Sequence, residues 1–185
     1  MSIKYRNYTI EIIHDDYADN PREIYDHIGS MVCFHRRYCI GDKHSFSIED
    51  LKEKIASDDY YYLPIYMMDH SGISISSTSY QDKWDSGQVG YIILSKEKAM
   101  EENIPAEHAL NVLQNEIVEY NSFLTGETWG YQIISPKGEE LDSCYSFYGE
   151  INDECYMVIA AKHQIDYYIT HEQKTYGIQQ ELQLV

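Results

Sequence analysis

The chain has 185 residues, 43% of them apolar, and a formal net charge of −17, which indicates an acidic globular protein long enough to bury a core. This charge argues against direct binding to nucleic acid, because phosphates would be repelled. No run approaches the ~20 apolar residues of a membrane span, and the first residues, MSIKYRNYTIEI, lack the apolar core of a signal peptide, so we expect a cytoplasmic protein.

The first part of the chain predicts one strand and two helix starts. Tyr8–His14 alternates apolar and polar residues, which is typical of a half-buried strand. Asn20 precedes Pro21, a pair that favours entry into a short helix. Ser47 and Asp50 have the spacing of a capping box, so we expect a second helix there. Its inward face is predicted to carry Ile48, Leu51 and Ile55.

Three apolar runs in the middle of the chain predict strands: Tyr61–Met68, Ile73–Ser77 and Val89–Leu94. Between them lie two polar segments, which we call the DHSG segment (Asp69–Gly72) and the WDSGQ segment (Trp84–Gln88). Each contains a carboxylate, a hydroxyl and a glycine where a strand must turn. We expect both segments to be turns at strand ends, where binding and catalytic residues often lie.

The longest helix is predicted over Ala106–Leu124, because apolar residues recur there at helical spacing and Gly126 ends the pattern. Its inward face is predicted to carry Ala109, Leu110, Leu113, Ile117, Val118 and Leu124. A shorter helix is expected to begin at Ser95.

Two strands and a last helix complete the predicted fold. Thr128–Ile134 and Leu141–Tyr148 are expected to pair as a hairpin, and a helix is predicted over about 152–167. The polar segment 168–185 is predicted to be a tail or an edge strand around 174–178. With no repeat or linker, the chain predicts a single α+β domain over residues 1–167, whose mainly antiparallel sheet packs with two or three helices.

Guanidinium and imidazole groups crowd together at one place, His35–Tyr38, which we call the HRRY segment and which His44 follows closely. Such groups suit an anionic ligand. Together with the DHSG and WDSGQ segments, they predict a site that binds or hydrolyses a small, nucleotide-like anion. The predicted ligand-binding residues are His35, Arg36, Arg37, His44, Asp69, His70, Trp84, Asp85, Ser86 and Gln88.

A structural alternative explains the same residues without a ligand. Arg36 and Arg37 would neutralise nearby carboxylates such as Asp15, Asp16 or Asp69. The two polar segments would hold tight turns, and Trp84 would pack in the core. Because neighbouring side chains on an extended stretch point to opposite faces, we expect one arginine to be structural and the other to belong to a site.

The residues leave open whether the protein is an enzyme. A serine nucleophile would need His70 as its base and an aspartate to orient that base. Asp69 and His70 are adjacent, however, and would point apart on an extended strand, and the chain contains no GxSxG motif. The histidines match no metal-ligand spacing and the four cysteines form no CxxC pair, so neither a metal site nor a cofactor is predicted.

The negative charge is concentrated in one stretch, since residues 99–161 hold 12 acidic groups and a single basic one, Lys137. Carboxylates on a rigid face can occupy arginine and lysine sites that otherwise bind phosphates. The sequence therefore also predicts a docking surface for a basic, nucleic-acid-binding partner. Its predicted residues are Glu107, Glu116, Glu119, Glu139, Glu140, Asp142, Glu150, Asp153 and Glu154.

Several phrases of the sequence are specific enough to compare with known families: MVCFHRRYCIGDKH (31–44), LPIYMMDHSGISIS (63–76), WDSGQVGYIILSKEK (84–98), EIVEYNSFLTGETWGY (116–131) and LDSCYSFYG (141–149). On these phrases the chain resembles a family of proteins from phages, plasmids and integrated elements of bacteria, to which no activity is assigned. It departs from the family pattern at Met68, where tyrosine is expected, and at Asp82-Lys83, where Cys-Pro is expected.

The resemblance implies a mobile element in a bacterial host, a setting in which small acidic proteins often counter host defence. It extends the docking hypothesis. The leading prediction is a non-catalytic inhibitor that mimics nucleic acid and docks on a basic surface of a host defence protein. The alternative prediction is a binder or hydrolase of a small nucleotide-like anion.

Overall fold

The computed structural model describes residues 1–82 and 84–183, with side chains through residue 171. Its elements in chain order are β1 (Ser2–Tyr5), β2 (Tyr8–His14), α1 (Pro21–Ile24), β3 (Ser30–Cys33), α2 (Ile48–Ala56), β4 (Tyr60–Asp69), β5 (Ile73–Ser76), β6 (Ser86–Ser95), α3 (Lys96–Glu101), α4 (Ala106–Thr125), β7 (Thr128–Ile134), β8 (Glu140–Tyr148) and α5 (Tyr156–Gln183). The strands form two antiparallel sheets, and the predicted α+β class is confirmed.

The terminal unit combines Met1–Ala18 with the chain from Thr128 onward. Its strands pair in the order β1-β2-β7-β8, all antiparallel, and α5 packs on β2 and β7. The strands predicted at β2 and β7 have the observed bounds, whereas β1 was not predicted. The inward side chains of both strands, such as Ile10 and Ile133, are fully buried.

The last helix differs from the prediction. α5 begins at Tyr156 and continues to Gln183, so residues 168–183, predicted as a tail or an edge strand, are helical. The segment has no apolar period to reveal a helix, but glutamate, glutamine and leucine have high helix propensity. Residues 184 and 185 of the predicted tail lie outside the described residues.

The central unit is formed by Asp19–Glu127. Its strands pair in the order β3-β6-β4-β5, all antiparallel, and α4 packs on β4, β5 and β6. The predicted bounds of α4 are confirmed to within one residue, and Gly126 ends this helix with a left-handed φ of 76°. Fully buried side chains of this core include Ile65, Ile92 and Leu113.

Helix α2 begins with the predicted capping box. Ser47 Oγ accepts a hydrogen bond from Asp50 N at 3.1 Å, and Asp50 Oδ2 accepts one from Ser47 N at 2.8 Å. The backbone hydrogen bond from Ser47 and that from its hydroxyl lower the pKa of the Asp50 carboxyl. The boundary read from the sequence is therefore confirmed.

Three apolar residues predicted to face inward are instead exposed: Leu110 and Val118 on α4, and Ile48 on α2. On α4 the apolar stripe is wider than the face that the sheet covers. Ile48, at the first position of α2, is 49% exposed and lines a cleft described below.

The two polar segments of the middle region are only partly turns. In the DHSG segment, Asp69 still belongs to β4, and the turn follows with positive φ at Ser71 (57°) and Gly72 (154°). In the WDSGQ segment, residues 86–88 already belong to β6, where Gln88 lies opposite Tyr66. The prediction of a turn is therefore wrong for 86–88, because pairing with β4 extends the strand further than its apolar run.

Candidate functional site

The central sheet brings the HRRY, DHSG and WDSGQ segments together at one end. β6 lies between β3 and β4 and runs antiparallel to both, so its beginning meets their ends. The HRRY segment follows β3, and Phe34 N donates to Val89 O at 2.7 Å. On the other side of β6, Asp69 N donates to Asp85 O at 2.8 Å.

A cleft of about 540 Å³ opens where the three segments meet, and we call it the tryptophan cleft. All the predicted ligand-binding residues except His44 and His70 line this cleft. Sequence reasoning did not select the other wall residues, which are Phe34, Met67, Gly87 and Val89. These are apolar or small, and no local pattern distinguishes a wall residue of that kind from a core residue.

A second cleft, of about 860 Å³, includes Ile48 in its wall, and we call it the α2 cleft. It shares Phe34, His35 and Arg36 with the tryptophan cleft. His44 lines the α2 cleft, where its Nε2 donates to the Cys33 carbonyl at 3.0 Å. Its Nδ1 is buried without a hydrogen-bond partner among the described residues. His44 is therefore a wall residue whose nitrogens are not accessible to a ligand.

Arg37 is held by the DHSG segment. Its Nη2 donates to Asp69 Oδ2, and the Tyr38 hydroxyl donates to the same oxygen at 3.3 Å. The Arg37 guanidinium also lies over the Tyr38 ring, with Cζ 5.3 Å from the centroid. Arg37 thus neutralises Asp69, as the structural alternative expects, although a pair whose arginine is 69% exposed adds little stability.

Arg36 differs from its neighbour. It is exposed and lines both clefts, and it forms no ion pair with any residue that the structure describes. One arginine is thus engaged by a carboxylate and the other is not, although the segment bends at residues 36 and 37 and is not extended as expected. That Arg36 belongs to a site stays a prediction. The guanidinium of Arg36 is available to an anion in either cleft.

Trp84 does not pack in the core, contrary to the structural alternative. Its side chain is 96% exposed, beside the tryptophan cleft. The turn that carries it is set by Asp82, whose Oδ1 accepts a hydrogen bond from Trp84 N at 2.8 Å. The preceding Lys83 lies outside the described residues. An indole left in water next to a cleft is a platform on which a flat ligand can stack.

The polar side chains beside the cleft do not form a catalytic triad. His70 Nδ1 pairs with Asp85 Oδ2 at 3.0 Å, whereas Asp69 bonds Arg37, so the adjacent Asp69 and His70 do not pair. The Ser86 hydroxyl donates to the Asp82 carbonyl. Among the described residues, no hydrogen bond joins a serine hydroxyl to His70, and a serine nucleophile lacks its base.

The thiols and histidines form no evident metal centre in the part of the chain that the structure describes, where no three His, Cys, Asp or Glu side chains are grouped to hold an ion. Cys33, in the wall of the α2 cleft, is buried, and burial raises the pKa of its thiol to about 12. Cys33 therefore stays protonated and is a poor nucleophile or metal ligand.

No family model, curated protein or solved structure matches the chain. The relation to mobile-element proteins therefore stays a prediction. Among the described helices, none combines the length and apolar character needed to cross a membrane.

One predicted docking residue, Glu116, is not on the surface. It is 8% exposed, its Oε2 accepts from Arg22 Nη1 at 2.8 Å, and its Oε1 accepts from the backbone nitrogens of Ile28 and Gly29 at 2.9 and 3.0 Å. Glu116 is therefore a structural residue, and its place in the docking surface was wrong. The helical spacing of α4 predicted an outward position for Glu116. Its partner Arg22 lies in α1, 94 residues away in the sequence.

Arg22 is the centre of this buried network and was not selected from the sequence. Its side chain is 2% exposed, and it donates to Asp42 through Nε at 2.7 Å and Nη2 at 2.6 Å. Burial alone would lower the pKa of the guanidinium, but hydrogen bonds to Asp42 and Glu116 outweigh that effect and raise it. Arg22 stays charged and joins α1, α4 and the loop before α2.

The other predicted docking residues vary in exposure. Glu119 is half-buried and its Oε2 pairs with His27 Nε2 at 2.8 Å, a bond that raises the pKa of His27. In the central unit Glu107 is exposed. In the terminal unit Asp142 is half-buried, and the exposed residues are Glu139, Glu140, Glu150, Asp153 and Glu154. Without Glu116, a docking role for these carboxylates stays a prediction.

Proposed function

We propose that the tryptophan cleft binds a small anionic ligand of the nucleotide type. One observation supports this proposal: Arg36 and the exposed Trp84 line the same cleft. Arg36 has no carboxylate partner among the described residues. An unpaired guanidinium can bind a phosphate, and a solvent-exposed aromatic ring can stack on a flat heterocycle.

The chemistry of each side chain supports this assignment. A guanidinium presents a planar fork of donors that matches the oxygens of a phosphate, and an indole stacks on any heterocyclic base. His35 Nδ1 accepts from Tyr38 N at 3.3 Å, so Nε2 carries the proton of the neutral ring and is a further donor. The exposed Gln88 adds an amide for polar edges.

The size and the charges of the cleft also support a small ligand. Its volume of about 540 Å³ lies within the range of ~300–1,000 Å³ typical of small-molecule sites. Arg37 offsets the charge of Asp69, which would otherwise repel an anion.

Replacing Arg36 or Trp84 with alanine is expected to weaken nucleotide binding without lowering the melting temperature. A charged hydrogen bond contributes about 1.5–3 kcal/mol and stacking about 1–3 kcal/mol per base, so each variant should lose roughly tenfold or more in affinity. The measurement is isothermal titration calorimetry with a panel of nucleotides, alongside a thermal melt of each variant.

Matched controls are Arg6→Ala and Tyr17→Ala, which remove an exposed arginine and an exposed aromatic ring from the terminal unit. Both should bind as the wild type does. Unchanged affinity in the Arg36→Ala protein would contradict the proposal, as would the absence of binding by every nucleotide in the panel.

A second candidate function rests on the exposed carboxylates of the terminal unit. Glu139, Glu140, Glu150, Asp153 and Glu154 are exposed and form no ion pair with residues that the structure describes. We propose that they dock on a basic, nucleic-acid-binding protein of a bacterial host, in its cytoplasm, and that the chain acts there as an inhibitor of defence. Exposed carboxylates without ion pairs support this, because they can take the place of phosphates at arginine and lysine sites.

The docking function predicts that the double reversal Glu139→Lys with Glu140→Lys removes a partner that the wild-type protein retains from a bacterial lysate. Retention should also fall steeply as salt is raised. Salt screens the attraction between exposed charges, and the Debye length, ~8 Å at physiological salt, becomes shorter at higher salt. Mass spectrometry of the proteins retained by the two baits gives the answer. Equal retention by both, or retention that resists high salt, would count against the docking surface.

A further inference from the structure

We infer that the anionic group held at Arg36 is a single phosphodiester, with one nucleoside in the tryptophan cleft and a second in the α2 cleft. This inference rests on the proposed function and adds the class of ligand: a dinucleotide-type molecule, as opposed to a nucleotide with a terminal mono- or triphosphate.

The first argument is the balance of charges around the two clefts. Arg22 is saturated by Asp42 and Glu116, and Arg37 is paired with Asp69. Lys43 lies 3.5 Å from Glu23. Among the arginines and lysines that line the two clefts in the part of the chain that the structure describes, this leaves Arg36 as the one without a carboxylate. A single cation matches a single negative charge.

The number of charges distinguishes the phosphate classes. A phosphate monoester carries about −1.5 to −2 at pH 7, and a triphosphate carries more, whereas a diester has one ionisable oxygen and carries −1. The extra charges of a monoester or a triphosphate would meet no further unpaired arginine or lysine among the described residues of the two clefts, and the carboxylate of Asp85 lies in the same wall. The site therefore favours the diester.

The second argument is the position of Arg36 in the wall of both clefts, together with Phe34 and His35. A terminal phosphate bound there would have a substituent on one side only. A diester has substituents on both sides, and each cleft has room for one, with volumes of about 540 and 860 Å³. The α2 cleft offers the exposed side chain of Ile48 as an apolar wall, against which the flat ring of a second nucleoside can pack.

The experiment compares four probes by isothermal titration calorimetry at fixed ionic strength: the dinucleoside monophosphate ApA, adenosine 5′-methylphosphate, AMP and ATP. Adenine serves as the probe because stacking on an aromatic ring is tolerant of base identity. The methylphosphate is a diester with one nucleoside, so its comparison with AMP isolates charge, and its comparison with ApA isolates the second nucleoside.

We expect ApA to bind most tightly, the methylphosphate next, and AMP and ATP least. Arg36→Ala should weaken ApA by roughly tenfold or more, with a control melt showing an intact fold. Ile48→Gln, at an exposed position of the α2 cleft, should weaken ApA severalfold and leave the methylphosphate unchanged.

Failure of the proposed function and failure of this inference give different results. If no probe binds, the proposed function itself is wrong, and this inference with it. If AMP or ATP binds as tightly as the methylphosphate, the proposed function stands and the assignment of a single negative charge is overturned. If ApA binds no more tightly than the methylphosphate, or Ile48→Gln weakens both equally, the second nucleoside is not in the α2 cleft.

Discussion

Replacing Arg22 with alanine is expected to lower the melting temperature by roughly 6–20 °C. The side chain is 2% exposed and neutralises two carboxylates, Asp42 and Glu116. Removing one member of a buried ion pair costs about 3–5 kcal/mol because it strands the other charge away from water. For a protein of this size each kcal/mol shifts the melting temperature by ~2–4 °C. A thermal melt followed by circular dichroism measures the shift.

Arg36→Ala is the matched control, since it removes the same side chain from an exposed position without an ion pair among the described residues. Its melting temperature should stay within about 2 °C of the wild type. A second test is the combination of Arg22→Met, Asp42→Asn and Glu116→Gln, which strands no charge and should recover part of the loss. An Arg22→Ala protein as stable as the Arg36→Ala protein would refute the structural role of the network.

Gly90→Ala is expected to destabilise the protein by about 1–3 kcal/mol or more, as overpacking does, and to lower the melting temperature by several degrees. A Cβ at this position would lie 2.0 Å from Val32 O and 2.8 Å from Cys33 Cα. Both are backbone atoms of β3, the strand paired with β6 at this point. No side chain can rotate away to relieve the clash, so the two strands must separate.

Gly87→Ala is the control in the same strand, because a Cβ there meets nothing within 4 Å. Its stability should change by no more than about 0.5 kcal/mol. Urea unfolding measures the free energy of unfolding of each variant. The two values can be compared directly if that free energy falls with urea concentration at the same slope in both variants. If both alanine variants unfold at the same urea concentration as the wild type, β3 and β6 do not approach as closely as described.

Much of the fold could be predicted from local sequence patterns. The strands β2 and β7 were predicted with their observed bounds, and the capping box at Ser47 marked the start of α2. The segment 168–183 was misjudged, because a helix without an apolar stripe has no period to detect. Strand β1 was missed, since Ser2–Tyr5 is short and none of its residues is buried.

The positions of some residues described with the candidate site could not be predicted from local sequence patterns. The hypothesis of an anion site grouped the HRRY, DHSG and WDSGQ segments, and the central sheet brings them together, although the role of their residues stays a prediction. The burial of Glu116 had no local signal, because its partner Arg22 lies 94 residues away in the sequence. The structural alternative placed Trp84 in the core, but in the turn set by Asp82 its side chain is exposed. Both depend on contacts that composition and spacing do not encode.

The exposure of Trp84 also equips the protein with an optical reporter. The chain has two tryptophans, and the other, Trp129, is half-buried in the terminal unit and donates its Nε1 hydrogen to Gly149 O at 3.0 Å. Exchanging Trp129 for phenylalanine would leave the indole beside the cleft as the only tryptophan, which can be excited selectively at wavelengths where tyrosine does not absorb. An indole in water fluoresces at longer wavelength than one covered by another ring, so the arrival and departure of a ligand become visible in stopped flow, without a dye.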